Sequence, residues 1–227
     1  MMNIAILGST GSIGKTTLSL VRKNKKKIKI NLLSANSSIQ NIFNQAKEFN
    51  VKNVILPDIN NNLFWKNKFK KNKINTYENF NNLKKIFKTK LDYAINGISG
   101  MEGLDPTLKI IKHTKKIAIA NKESIICGWN LIEKELKKNK TQFIPVDSEH
   151  FSLWFGLQNL RIKNIENIYL TASGGPFNNI SLNKFKSIKI NQALKHPNWK
   201  MGKKISIDSA TMINKVYEVI EARNIFN

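Results

Sequence analysis

The segment Gly8-Ser9-Thr10-Gly11-Ser12-Ile13-Gly14 decides the fold of this chain. An apolar run at 3–7 precedes it, and apolar residues recur at helical spacing over 12–22. Glycine at such a strand-to-helix turn lets the backbone approach a ligand closely, and the N–H groups that begin the helix can bind a pyrophosphate. A glycine pattern alone is weak evidence, but this one opens a βαβ unit, where dinucleotide binding requires it. The segment predicts a nucleotide-binding turn, with a turn that binds no nucleotide as the alternative.

Strand and helix patterns alternate along the chain after this turn. Apolar runs and amphipathic spacing predict strands at 28–33, 51–56, 91–95 and 117–120 and helices at 39–49 and 104–113. Residues 58–90 predict one or two surface helices. Because this order is typical of a parallel sheet with right-handed crossovers, we expect an α/β fold whose N-terminal domain is Rossmann-like.

The pattern changes after Pro145. We expect there a helix at 151–160, a strand at 165–171, a Gly-Gly-Pro turn, a basic loop from His196 to Lys204 and a helix at 209–226. A domain boundary is therefore expected near 145–150. Residues 1–147 would form the Rossmann-like domain, and residues 148–227 would form part of an α+β domain.

Composition excludes several classes of protein. The formal charge is +23, but only 3 of the 38 basic residues are arginine, and the lysines are scattered, which argues against nucleic-acid binding. The charge would instead help to attract a phosphorylated substrate. The single cysteine, Cys127, excludes an internal disulfide and is expected to be a small buried side chain. Because no apolar run is long enough for a signal peptide or membrane span, we expect a soluble cytoplasmic protein with no membrane partner.

Residues Pro145-Val146-Asp147-Ser148-Glu149-His150 place two carboxylates two positions apart after an apolar run. At the end of a strand, Asp147 and Glu149 would point to the same side. Like charges held that close repel unless a cation or a shared proton lies between them, so the pair is interpreted as half of a Mg²⁺ or Mn²⁺ site. On these residues alone, a solvated turn after a strand is an equal alternative.

The end of the second predicted strand indicates which nucleotide is bound. An NAD site usually has Asp or Glu there for the ribose hydroxyls. Residues 34–38 are Ser-Ala-Asn-Ser-Ser, with no acid, which leaves room for a 2′-phosphate. The sequence therefore favours NADPH over NADH.

Further segments are informative when taken together. They are Ala120-Asn121-Lys122-Glu123-Ser124, Pro145 to His150, Ser173-Gly174-Gly175-Pro176-Phe177, His196-Pro197-Asn198-Trp199-Lys200-Met201-Gly202, Lys204 to Met212, and Asn214-Lys215 with Glu218. With the glycine turn, their order and spacing resemble the 1-deoxy-D-xylulose 5-phosphate reductoisomerase family along the whole chain. The resemblance implies an oxidoreductase that isomerises 1-deoxy-D-xylulose 5-phosphate and reduces the product with NADPH. The final product would be 2-C-methyl-D-erythritol 4-phosphate, in non-mevalonate isoprenoid biosynthesis.

The same resemblance implies roles for individual residues. The ligands of Mg²⁺ or Mn²⁺ would be Asp147, Glu149 and Glu218, and these would be catalytic together with Lys122 and His196. Substrate contacts are expected at Lys122, Ser148, Glu149, Ser173, His196, Ser209, Asn214 and Lys215. Cofactor contacts are expected at Thr10, Gly11, Ser12, Ile13, Asn36, Ser37, Ser38, Asn121, Glu123 and Gly202. Residues 1–147 would then be an NADPH-binding domain and 148–227 an incomplete catalytic domain.

Two spacing arguments add to these assignments. Glu218 follows Asn214 by four residues and Lys215 by three, so in a helix the three side chains share one face. The loop around Trp199 and Met201 resembles the flap that closes over substrate and nicotinamide in this family. We expect it to be mobile without ligand and to exclude water when closed.

The chain departs from the family in two respects. Where the family has Gly-(Lys or Arg)-Asn for the 2′-phosphate, this chain has Asn36-Ser37-Ser38, so NADPH would be held less tightly or by a nearby lysine. The chain stops at Asn227, where the family continues into a C-terminal helical domain, so we expect a fragment of an enzyme that is a homodimer at full length. The alternatives are an inactive NADP-binding remnant of that enzyme or another NADP-linked dehydrogenase. The last is disfavoured because Cys127 has no evident histidine base.

Overall fold

The computed structural model describes residues 1–158, 160, 164–197 and 202–226. The chain divides into two compact units, Met1–Asp147 and Ser148–Asn227. The first unit consists of a β-sheet with flanking helices, and the regular structure described in the second unit is helical.

A seven-stranded sheet forms the centre of the first unit, and all of its strand pairs are parallel. The strands are β1 (Met2–Leu7), β2 (Ile28–Ser34), β3 (Asn53–Ile55), β4 (Asn75–Tyr77), β5 (Leu91–Asn96), β6 (Thr114–Ile119) and β7 (Gln142–Pro145). Their order in the sheet is β4-β3-β2-β1-β5-β6-β7, so the direction of winding reverses beside β1. Ligands of α/β sheets bind outside the carboxyl ends of the strands at such a reversal. The predicted α/β fold with a parallel sheet is confirmed.

The core of this unit lies between the sheet and its helices. Ile6 of β1 and Leu33 of β2 are fully buried and belong to one apolar cluster with Phe69. Burying a side chain of this size stabilises the fold by about 1.5–3 kcal/mol. Parallel strands covered by helices are apolar almost continuously, which is why the sequence predicted β1, β2 and β5 well.

The helices of the first unit connect successive strands. They are α1 (Ser12–Lys23), α2 (Ile39–Glu48), α3 (Leu63–Lys71), α4 (Leu83–Ile86), α5 (Leu104–Ile111) and α6 (Lys122–Asn139). Helix α1 buries Gly14, Leu18 and Val21. Leu18 and Val21 belong to the apolar pattern from which the helix was predicted, whereas Ile13 of that pattern is 38% exposed. Helix α6 and strand β4 were not predicted, whereas β7 is the strand that was expected before Asp147. Cys127 of α6 is exposed, so the expectation that it is buried was wrong.

The second unit contains helices α7 (Ser148–Leu157), α8 (Ile190–Ala193), α9 (Lys203–Ala210) and α10 (Ile213–Phe226). The predicted strand at 165–171 is wrong, because these residues have no regular secondary structure and Tyr169 is 85% exposed. An apolar run becomes a strand only when another strand pairs with it. The helix predicted at 209–226 is present as α10, but it begins only at Ile213, because Met212, with φ +62°, separates α9 from α10.

No helix in the described ranges is both long enough and apolar enough to cross a lipid bilayer.

Candidate functional site

The glycine turn joins β1 to α1 through a tightly folded backbone. Gly8 has φ +75°, in the left-handed region that favours glycine. A Cβ at Gly14 would lie 2.4 Å from the Gly8 carbonyl oxygen and 2.5 Å from the Ser9 Cα, so the first turn of α1 packs directly against the glycine turn. Both positions therefore require glycine, and the N-terminus of α1 begins beside the turn.

Side chains from β2 and α2 hold this turn in place. The Gly8 N–H donates to Ser34 Oγ at 3.0 Å, and the Ser9 N–H donates to the Ser34 carbonyl at 2.8 Å. Ser9 is fully buried, and Gln45 accepts from its hydroxyl at 2.7 Å and donates to its carbonyl at 3.1 Å. The turn is thus held from both sides, which preorganises it for a ligand.

A cavity of about 620 Å³ lies at the carboxyl ends of β1, β2 and β5. Its volume is typical of a cofactor site, for which roughly 300–1,000 Å³ is usual. Among the residues predicted to contact the cofactor, Thr10, Gly11 and Asn36 line this cavity. The others are not among its lining residues: Ser12, Ile13, Ser37, Ser38, Asn121, Glu123 and Gly202.

Two buried asparagines support the cavity wall. Asn96 was not predicted as a site residue, and Asn121 was predicted to contact the cofactor. Asn96, at the end of β5, donates to the Gly103 carbonyl at 2.9 Å and accepts from the Ile98 N–H at 3.0 Å. Asn121 donates to the carbonyl of Ile98 and, at 2.6 Å, to that of Gly100. Because Ile98 lines the cavity, both amides shape its wall. A polar residue that ends an apolar strand, as Asn96 does, is the signal that could have revealed this network.

The charge of the cavity wall was also not predicted. Glu78, Glu102 and Asp105 line it, whereas no Lys or Arg occurs among the lining residues, all of which belong to the fully described first unit. Ser34 and Asn36 offer neutral hydrogen-bonding groups at the end of β2. The positive groups that would hold a 2′-phosphate are thus not part of this wall.

Lys122 and Asp147 form an ion pair at the same edge of the sheet. Lys122 begins α6, Asp147 follows β7, and their Nζ and Oδ2 atoms are 2.5 Å apart. Their side chains are 22% and 27% exposed, so the pair is partly shielded from water. Lys122 therefore has a defined electrostatic partner, in contrast to the many solvated lysines of this chain.

In the second unit, two carboxylates converge on one ammonium group. Lys215 Nζ lies 2.7 Å from Glu218 Oε2 and 3.4 Å from Glu149 Oε1. Glu218 is only 3% exposed, and its Oε1 accepts from Asn214 Nδ2 at 3.4 Å. Asn214, Lys215 and Glu218 lie on one face of α10, as their spacing predicts. Lys215 is a cation of the chain itself that stands between two oxygen donors, the arrangement that a Mg²⁺ or Mn²⁺ ion would adopt.

The strand-based reason for grouping Asp147 with Glu149 was wrong. Strand β7 ends at Pro145, and Glu149 lies in the first turn of α7, where Ser148 Oγ donates to its Oε2 at 2.9 Å. Alternation of side chains therefore does not apply to these residues. The prediction also passed over two buried ionisable residues of the second unit, His150 and Glu221.

The remaining predicted substrate residues occur in two places of the second unit. Ser173 Oγ and His196 Nε2 are 3.1 Å apart and form a hydrogen bond. Ser209 is buried near the end of α9. The predicted loop from His196 to Lys204 is shorter than expected, because Lys203 and Lys204 already belong to α9. Trp199 and Met201 lie outside the described residues.

Comparison with known proteins identifies the family. The model of the 1-deoxy-D-xylulose 5-phosphate reductoisomerase family matches residues 4–128, and the model of its C-terminal domain matches residues 143–226. The 1-deoxy-D-xylulose 5-phosphate reductoisomerase of Pelagibacter ubique is 58% identical over 229 residues, which cover 100% of this chain and 59% of that protein. The corresponding protein of Wolbachia pipientis from Culex pipiens is 45% identical, with 100% and 58% covered.

Solved structures give the same result. A DOX-P reductoisomerase in complex with NADPH, fosmidomycin and magnesium superposes with a TM-score of 0.87 at 33% identity, over 100% of this chain and 58% of that one. The Zymomonas mobilis 1-deoxy-D-xylulose 5-phosphate reductoisomerase in complex with NADPH gives a TM-score of 0.85 at 32% identity, over 99% and 58%. The chain spans about 59% of the length of the curated relatives that it matches. It belongs to the 1-deoxy-D-xylulose 5-phosphate reductoisomerase family.

Proposed function

We propose that this chain carries the cofactor, metal and substrate residues of an NADPH- and divalent-metal-dependent reductoisomerase. The reaction is the conversion of 1-deoxy-D-xylulose 5-phosphate to 2-C-methyl-D-erythritol 4-phosphate in isoprenoid biosynthesis. One observation carries the proposal. In a chain of this family, the carboxylates of Glu149 and Glu218 converge on a single cationic group, the ammonium of Lys215. Relatives with NADPH and magnesium in their structures support the same assignment.

We assign different functions to the two units of the chain. Residues 1–147 bind NADPH, supported by the glycine turn and the cavity beside it. Residues 148–227 supply groups for metal and substrate, supported by the carboxylates around Lys215. From the family resemblance we further propose a cytoplasmic enzyme whose full-length form is a homodimer. Its small-molecule partner is a phosphorylated sugar.

Each proposed residue has a role that its chemistry allows. Glu149 and Glu218, with Asp147 by resemblance, would hold a divalent ion, which polarises substrate oxygens and stabilises negative charge as it develops. Asn214 and Lys215 bind the substrate through an amide and an ammonium group. Ser173, His196 and Ser209 bind its phosphate, whereas Lys122 and Ser148 bind its hydroxyl end. NADPH bound by the first unit would supply the hydride.

The direct test is metal-dependent oxidation of NADPH by 1-deoxy-D-xylulose 5-phosphate, followed by absorbance of the reduced nicotinamide. The reductoisomerase predicts oxidation that needs both the sugar phosphate and Mg²⁺ or Mn²⁺. A cofactor-binding remnant would bind NADPH and oxidise none. A different NADP-linked dehydrogenase would show no dependence on this sugar phosphate.

Cofactor preference provides a first prediction. We expect NADPH to bind more tightly than NADH, because no carboxylate follows β2. Asn36→Asp should then weaken NADPH binding at least about tenfold, since a carboxylate at the cavity wall repels the 2′-phosphate. Titration of cofactor fluorescence measures both affinities. Asn44→Asp, the same change on the exposed face of α2, should leave them unaltered. Equal or tighter binding of NADH by the unmodified chain would contradict the prediction.

Lys215 provides a second prediction. Because its ammonium lies between Glu149 and Glu218, a divalent ion must displace it. Lys215→Met should therefore tighten Mn²⁺ binding by about tenfold, equivalent to roughly 1.4 kcal/mol, while weakening the binding of inorganic phosphate. Electron paramagnetic resonance of free Mn²⁺ and a phosphate titration measure the two effects. The control is Lys184→Met, an exposed lysine of the same unit. Weaker Mn²⁺ binding in Lys215→Met would show that the lysine does not compete with the metal.

A further inference from the structure

Three ionisable side chains are buried between helices α7 and α10. His150 is 2% exposed, Glu218 is 3% exposed and Glu221 is 1% exposed. Apolar residues of the same helices are exposed instead, Phe155 by 67% and Val219 by 58%. Burial of charged groups costs several kcal/mol unless they are paired and hydrogen-bonded. All residues of these two helices are described, and the buried side chains among them are polar. The two helices are thus not held together by an apolar interface.

The imidazole of His150 contacts α10 at two points. Its Nε2 lies 3.0 Å from the main-chain carbonyl oxygen of Glu218. Because a carbonyl oxygen only accepts, Nε2 must carry a proton and donate it. The other ring nitrogen, Nδ1, lies 3.8 Å from Oε2 of Glu221, one helical turn further along α10. The hydrogen bond to the backbone at 218 thus orients the ring, and the side chain at 221 lies beside its other nitrogen.

The hydrogen bond of His150 is important because of the two glutamates that lie beside it. Glu149 directly precedes His150 in α7, and Glu218 is the residue whose carbonyl accepts the hydrogen bond. The carboxylates of the same two glutamates converge on Lys215 Nζ, at 3.4 and 2.7 Å. The histidine therefore links the two backbone segments that carry the proposed metal ligands.

We propose that His150 is a positioning residue, which holds α7 against α10 so that Glu149 and Glu218 can bind one divalent cation. The inference rests on the proposed function of those two glutamates as metal ligands. His150 itself does not need to touch the metal or the substrate. It acts through its hydrogen bond to the backbone at Glu218. Outer-shell partners of this kind typically contribute about 10- to 100-fold to metal affinity.

The test compares two amides at position 150. His150→Gln places its amide near the position of Nε2 and can still donate to the Glu218 carbonyl, whereas the shorter His150→Asn cannot reach it. We expect His150→Asn to weaken Mn²⁺ binding by at least about tenfold and His150→Gln to remain within about threefold of the unmodified chain. Free Mn²⁺ is measured by electron paramagnetic resonance on the full chain.

The controls separate this inference from the metal site itself. Glu218→Gln should abolish Mn²⁺ binding, and if it does not, the proposed metal site fails. If Glu218→Gln loses the metal while His150→Asn binds it normally, the metal site stands and the positioning role is overturned. Equal losses in His150→Asn and His150→Gln would also overturn the role of the hydrogen bond. NADPH binding and the unfolding midpoint, measured on each variant, exclude general unfolding as the cause.

Discussion

Glu218→Gln is expected to abolish metal-dependent turnover, with kcat/KM falling by at least about 10³-fold because several kcal/mol of metal-derived stabilisation are lost. The carboxylate is 3% exposed and meets Lys215 Nζ at 2.7 Å, so its charge acts in a partly water-excluded site. A glutamine of the same size keeps one oxygen but has no charge to bind the ion. Turnover of 1-deoxy-D-xylulose 5-phosphate and Mn²⁺ affinity are the two quantities to measure.

The fold should survive this substitution. Breaking an isolated buried ion pair costs about 3–5 kcal/mol because the remaining charge is left unpaired. Lys215 retains Glu149 at 3.4 Å, so we expect the free energy of unfolding to fall by less than about 2 kcal/mol. Urea unfolding measures this change. Glu166→Gln, the same substitution at an exposed residue of the second unit, is the matched control and should alter neither turnover nor stability. Undiminished metal dependence in Glu218→Gln would refute its role as a ligand.

The parts of the fold that the sequence predicted are those whose signals are local. The glycine turn is such a case, because Gly8 and Gly14 are required by backbone geometry within the turn itself. Strands β1 and β2 are another, because both are mostly apolar and their buried residues are covered by helices. In both cases the local sequence alone accounts for the local structure.

The parts that were missed depend on contacts between distant segments. Strand β4 has only 3 residues, Asn-Thr-Tyr, and exists because it pairs with β3. The converse applies to residues 165–171, whose apolar pattern predicted a strand although no pairing partner is present among the described residues. Propensity alone could not separate these two cases, because pairing decides both.

The candidate site shows the same division. The face of α10 with Asn214, Lys215 and Glu218 followed from helical spacing, which needs no tertiary information. The placement of Glu149 did not, because no local pattern indicates that α7 begins at Ser148, directly after Asp147. His150 was overlooked because its importance comes from a hydrogen bond to a residue 68 positions away.

Gly14→Ala is expected to destabilise the first unit and to abolish NADPH binding. The added Cβ would lie 2.4 Å from the Gly8 carbonyl oxygen and 2.5 Å from the Ser9 Cα, and both are backbone atoms of the turn. Either the turn or α1 must move, so we expect a loss of about 2–4 kcal/mol in the free energy of unfolding. This exceeds the gain of about 1 kcal/mol that alanine offers over glycine in a helix interior. A displaced turn no longer directs its N–H groups at the pyrophosphate, so NADPH affinity should fall at least about 100-fold.

Two other glycines make this prediction specific to the contact at Gly14. Gly156→Ala places the same methyl group in α7, where nothing lies within 4 Å, and should leave stability unchanged or raise it by up to about 1 kcal/mol. Gly11→Ala would meet the Gly8 carbonyl oxygen at 3.4 Å, an ordinary contact, and should lower the free energy of unfolding far less than Gly14→Ala. Urea unfolding and NADPH fluorescence titration rank the three variants. If Gly14→Ala matched Gly156→Ala in both measurements, close packing of α1 on the turn would not be what preorganises the nucleotide site.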